Sequence, residues 1–106
     1  MAKYLIQASY SAGGVKGLLK EGGSNRRVAV AKAVEGMGGT LEAFYYAFGS
    51  VDVFAIIDMP DAVSAAATSM AINATGLVAT TVTPLLTPEE IDKAAKKSVK
   101  YRAPGK

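Results

Sequence analysis

From Lys3 to Tyr10 the chain sets Tyr4, Ile6, Ala8 and Tyr10 against Lys3, Leu5, Gln7 and Ser9, the period-2 pattern of a strand. Ser11-Ala12-Gly13-Gly14 then turns it. Val15, Leu18 and Leu19 fall at helical spacing with Ser11 as N-cap, which predicts a short helix to about Glu21. Gly22-Gly23 interrupts that helix, because an interior glycine costs about 1 kcal/mol relative to alanine. Ser24 or Asn25 restarts it, and Val28, Ala31, Val34 and Met37 continue the stripe to the Gly38-Gly39 stop.

Two apolar strands follow, Thr40 to Phe48 and Val51 to Met59, joined at Gly49-Ser50 with glycine first, as a type II′ hairpin requires. Pro60 lacks the amide hydrogen that a ladder needs and ends the second strand. Asp61 caps an alanine-rich helix in which Val63, Ala66, Ala67, Met70, Ala71 and Ala74 recur at three and four residues. A last strand spans Leu77 to Leu86. Thr87-Pro88-Glu89-Glu90 is a capping box with proline at the first helical position, opening a helix to about Ser98. The order β-α-β-β-α-β plus a terminal helix predicts an α+β, ferredoxin-like fold. One domain covers residues 1–98 and a basic tail covers 99–106. The domain's four-stranded antiparallel sheet carries the helices on one face.

Strict alternation divides the sheet into two faces. Tyr4, Ile6, Ala8, Leu41, Ala43, Tyr45, Val53, Ala55 and Ile57 are expected under the helices. The opposite face then carries Leu5, Gln7, Ser9, Glu42, Phe44, Tyr46, Phe48, Asp52, Phe54, Ile56 and Asp58. Large apolar groups left open on a sheet mark an interface. Leu5, Phe44, Phe48, Phe54 and Ile56 are therefore the expected dimer contacts, and face-to-face packing of two such sheets makes a dimeric α/β barrel with a cavity between them.

Composition narrows the chemistry. In a 106-residue chain without cysteine or histidine, disulfides, thiolate nucleophiles and imidazole bases are excluded, as is zinc or haem held by those side chains. No metal site and no cofactor are expected. The net charge of +3 is unevenly placed, with Lys93, Lys96, Lys97, Lys100, Arg102 and Lys106 in an acid-free tail and a mildly acidic body before it. A nucleic-acid binder usually spreads basic groups over one face of its fold, so nucleic acid is not the favoured partner. No stretch reaches the roughly 20 continuous apolar residues of a membrane span, and the N-terminus lacks a signal-peptide pattern. A cytoplasmic location is expected.

The segments MAKYLIQASYSAGGVKGLLKEGG, GGTLEAFYYAFGSVDVFAIIDMPD and TVTPLLTPEEIDKAAKKSVKYRAPG resemble the GYD-domain proteins, small bacterial proteins of ferredoxin-like fold and largely unknown function. The resemblance covers nearly the whole chain. Gly49 and Asp52 match the glycine and aspartate of the family's hairpin, while Val51 stands where a tyrosine is expected. The resemblance implies the broad dimeric α/β-barrel group, which contains cofactor-free monooxygenases, haem enzymes, stress proteins and ligand-sensing domains. Fold analogy does not choose among these activities.

Five residues are candidate ligand-binding groups on the barrel face, Gln7, Ser9, Glu42, Tyr46 and Asp52; the other reading of Asp52 and Glu42 is structural, as partners of basic groups across the dimer or as residues of the wet rim. An apolar cavity with few polar groups, in a chain without histidine or cysteine, favours a homodimer that binds a small apolar or aromatic molecule between its sheets, or that serves as an interaction module. A cofactor-free, monooxygenase-like enzyme using Asp52, Glu42 or Tyr46 for proton transfer is the alternative, and nucleic-acid binding through the basic tail is a second. Arg26 and Arg27, just after the glycine break, are an anion-holding pair or two charges on a solvated helix face. Gly14-Val15-Lys16-Gly17 has the GxxG form of a KH loop, but it follows a strand where that loop joins two helices.

Overall fold

The computed structural model describes residues 1–106. The chain runs β1 (Ala2–Tyr10), α1 (Ala12–Glu21), α2 (Gly23–Gly36), β2 (Thr40–Tyr46), β3 (Val53–Met59), α3 (Ala62–Asn73), β4 (Val78–Leu85) and α4 (Pro88–Ala95). The four strands form one sheet in the order β2-β3-β1-β4, and every pairing is antiparallel. This is the ferredoxin-like arrangement that the element order predicts.

Local chemistry accounts for the boundaries. Ser11 Oγ accepts the Gly14 amide at the start of α1, and Asp61 Oδ1 accepts the Ser64 amide at the start of α3. Thr87 and Glu90 close a reciprocal capping box on α4. Gly22 ends α1 and opens α2 with φ of 93°, a backbone region that side chains disfavour. The break between the two helices therefore falls at the glycines.

The core lies between the sheet and the helices. Tyr4, Val34, Ile57, Met59 and Ala65 form one buried cluster, with Ile6, Val30, Leu41 and Val82 packed against it. Ala8, Val53 and Ala55 form a second, flanked by Tyr10, Phe44 and Val78. On β1 and β3 the helix-facing residues are those expected from alternation.

Strand β2 departs from strict alternation. Leu41 pairs with Ile57 and Ala43 with Ile56, so Glu42 is an extra residue in a β-bulge. One added residue exchanges the two faces from that point on. Phe44 and Tyr46, expected on the open face, lie on the helix side opposite Ala55 and Val53, whereas Ala43 and Tyr45 turn to the open face opposite Ile56 and Phe54. The two-residue hairpin turn is also corrected. β2 ends at Tyr46 and β3 begins at Val53, so residues 47–52 form a six-residue connection, closed by the Ala47 amide donating to the Asp52 carbonyl at 2.8 Å.

The buried stripes of α2 and α3 differ from the predicted ones. On α2, Val28 is 51% exposed and Val30 packs on the core instead. On α3, Val63 and Met70 face outward, while Ala65 and Thr68 are buried and Ser69 hydrogen-bonds Thr80 of β4. Neither helix gathers its apolar residues on one face, since charged residues surround the valines and alanines of α2 and small or apolar residues surround α3, so spacing alone selects no face. Helix α4 contributes no buried residue.

Candidate functional site

The open face of the sheet combines aromatic, aliphatic and polar side chains. β3 presents Phe54, Ile56 and Asp58, and the register places Leu5 beside Ile56 and Gln7 beside Phe54. Across the other edge of β1, Leu5 meets Thr83 and Gln7 meets Thr81. Tyr45 is 71% exposed and Phe54 38%. Leu5, Phe54 and Ile56 thus share the open face as expected, joined by Tyr45, which strict alternation hides. Phe44 lies under the helices, with its ring edge-to-face on Tyr46 at 5.2 Å, and Phe48 is fully exposed in the connection after β2. The only sequence signal for the exchange is that residues 43–46 are apolar without interruption, a run that fits either parity.

The candidate ligand-binding residues do not converge. Gln7 and Ser9 are on the open face, and the Ser9 hydroxyl donates to the Ser50 carbonyl at 3.0 Å. Asp52 Oδ2 accepts the Tyr10 amide at 2.8 Å, and the Asp52 amide donates to the Ala8 carbonyl at 2.8 Å. Asp52 therefore ties the connection to the end of β1. Glu42 and Asp58 flank the ammonium of Lys3 on the open face, with Asp58 Oδ2 at 3.2 Å. The hydrogen bond to Glu42 holds Lys3 above the usual lysine range, because it stabilises the charged amine. Lys3 is a site neighbour that sequence inspection missed, and its signal was its cross-strand position beside Asp58.

Tyr46 belongs to the helix side. Its hydroxyl donates to the Gly23 carbonyl at 3.0 Å. Partial burial, with Tyr10 next in importance, pushes its phenol up to about 12. A phenol so placed stays protonated near neutral pH, which favours hydrogen-bond donation over proton abstraction.

The same side contains a cleft of about 480 Å³ between α1, α2 and α3, within the size range of small-molecule sites. Leu18, Ile72, Leu77 and Val78 supply much of its apolar wall, and Arg26 is the sole basic residue lining it. A smaller void of about 60 Å³ between the sheet and the helices shares Tyr10, Arg26, Thr68, Ile72 and Val78 with the cleft. Arg26 stands four and eight residues before Val30 and Val34, on the stripe of α2 that faces the sheet. Arg27 is exposed. The structure thus separates the two arginines that sequence inspection grouped.

Among the side chains there is no group of three or more carboxylates placed to hold a metal ion. No helix is long and apolar enough to cross a membrane. Comparison with curated proteins and with solved structures gives no match. A family model described as GYD domain matches residues 4–95.

Proposed function

The chain belongs to the GYD domain family, and we propose that it works as a homodimer whose open sheet faces meet and enclose a small apolar or aromatic molecule. The observation that carries this reading is the cluster of Leu5, Tyr45, Phe54 and Ile56 on the face of the sheet turned away from the buried core, with Tyr45 71% and Phe54 38% exposed. Burying one such side chain is worth about 1.5–3 kcal/mol, so the set provides a substantial drive for association before entropic costs. Helix α4 supports the same reading. Leu86 just before it and Ile91 within it are 60% and 51% exposed, which suits packing on a second subunit. Gln7, Thr81 and Thr83 then supply polar groups beside the apolar cluster of the enclosed space.

Light scattering tests the assembly. The expected mass is twice that of the chain, and Phe54→Glu or Ile56→Glu is expected to halve it with the far-ultraviolet spectrum unchanged. A wild-type monomer at micromolar concentration overturns the proposal. For the ligand, a thermal-shift screen of small aromatic compounds is expected to give hits that Phe54→Glu abolishes. The absence of any hit counts against ligand binding and leaves an interaction module.

A further inference from the structure

We infer that the cleft between α1, α2 and α3 is a second binding site, on the far side of the sheet from the proposed dimer face, for a small amphipathic anion whose charged head is held by Arg26. Three observations converge on it. The first is position. Arg26 lies on the inward stripe of α2 with Val30 and Val34, its side chain is 34% exposed, and it lines both the cleft and the void beneath it. A guanidinium in such a place keeps its charge while its stem packs on apolar surface, and it presents that charge at the cleft wall.

The second is an incomplete set of partners. Glu21 Oε2 is 3.5 Å from Arg26 Nη1, a loose ion pair longer than an ordinary hydrogen bond. The guanidinium has five N–H donors in a planar fork that matches a carboxylate or sulfonate. The nearby hydroxyls of Thr68 and Thr75 already donate to the carbonyls of Ser64 and Ile72, so they offer the cleft no competing donors.

The third is the wall. A volume of about 480 Å³ lined by Leu18, Ile72, Leu77 and Val78 accepts an apolar body of one or two rings or a short acyl chain. A head group at Arg26 places that body against these residues. Glu21 opposes a dianion, so the fit is to a single negative charge.

The test is a fluorescence titration of the full chain with anilinonaphthalene sulfonate and, in parallel, with phenylnaphthylamine, which has the same rings and no charge. Saturable binding of both is expected. Arg26→Gln should weaken the sulfonate about tenfold or more, the size of a lost charge-assisted hydrogen bond, and leave phenylnaphthylamine unchanged. Ala71→Trp, on the exposed side of α3 and in the cleft wall, should exclude both probes without disturbing the core. Sulfonate binding that survives both substitutions overturns the inference, and so does an equal loss of both probes in Arg26→Gln. Loss of sulfonate binding in Phe54→Glu with retention in Ala71→Trp relocates the probe to the sheet face and also overturns it. Dimerisation is measured separately, so either proposal can fail without the other.

Discussion

The Asp52 carboxylate accepts the backbone amide of Tyr10 at 2.8 Å. Together with the bond from the Asp52 amide to the Ala8 carbonyl, it continues the β1–β3 ladder one step beyond Val53, with a side chain taking the place of a backbone carbonyl. Replacing Asp52 with alanine removes that acceptor. Stability should fall by about 1 kcal/mol or more, and hydrogen exchange at the Tyr10 amide should accelerate. The Asp52→Asn variant keeps a side-chain oxygen and should retain most of the protection. Unchanged exchange at Tyr10 in Asp52→Ala would remove the structural role.

Gly14 is the one buried residue of α1, and a side chain there would overlap the Leu77 carbonyl. That carbonyl also accepts the Ser11 amide at 2.9 Å, so α1 and the start of β4 cannot separate freely. Gly14→Ala should cost about 1–3 kcal/mol by overpacking. Gly17, one turn on, has open space around it, and Gly17→Ala should be neutral or stabilising by up to about 1 kcal/mol. Urea midpoints of the two variants measure the contrast, and equal midpoints would contradict it.

Tyr46→Phe deletes the hydrogen bond to Gly23, and at a partly exposed site the expected loss is about 0.5–1 kcal/mol. The pH dependence is more diagnostic. Because the folded phenol is raised to about 12, above the unfolded value of roughly 10, its contribution is complete below the unfolded value. It is lost as pH climbs through the folded one. Denaturation at alkaline pH should therefore show a decline that Tyr46→Phe flattens. Parallel profiles for the two proteins would refute the assignment.

Asp61 behaves in the opposite sense. The backbone amide of Ser64, and then its hydroxyl, hold the Asp61 carboxyl below the usual carboxylate range. Its contribution is therefore complete above the unfolded value of roughly 4 and is lost as pH falls through the folded value. Asp61→Asn still caps α3 but does not titrate, so its acid limb should be shallower than that of the wild type. Circular dichroism across an acid titration checks this, and coincident limbs would argue against it.

Most of the fold was legible because it rests on local signals. The Ser11, Asp61 and Thr87 caps, the Gly22 break and the Pro60 stop each act within a few residues, and the structure uses all of them. What escaped depends on tertiary packing. The bulge at Glu42 leaves no mark in an unbroken apolar run, and it moves Phe44 and Tyr46 to one side of the sheet and Tyr45 to the other. The inward faces of α2 and α3 are set by which residues pack on the strands, Val30 and Val34 on α2 and Ala65 and Thr68 on α3, and spacing does not reveal them in helices whose apolar residues are spread around the circumference. The cleft went unseen for a related reason, since a single arginine gains its meaning only from the elements that surround it.

The bulge also bears on how the protein avoids the wrong kind of assembly. β2 and β4 are the outer strands of the sheet, and outer strands offer unpaired amides on which other chains can grow. The extra residue at Glu42 distorts one of them, and Pro84 removes a donor from the other. Both borders are thereby made poor templates for strand addition. Contact through the flat of the sheet is closed and self-limiting when related by a twofold axis, whereas contact along its borders would propagate into fibres. The irregularity in β2 thus helps hold a chain rich in strand-forming residues back from fibre growth while leaving its aromatic surface available.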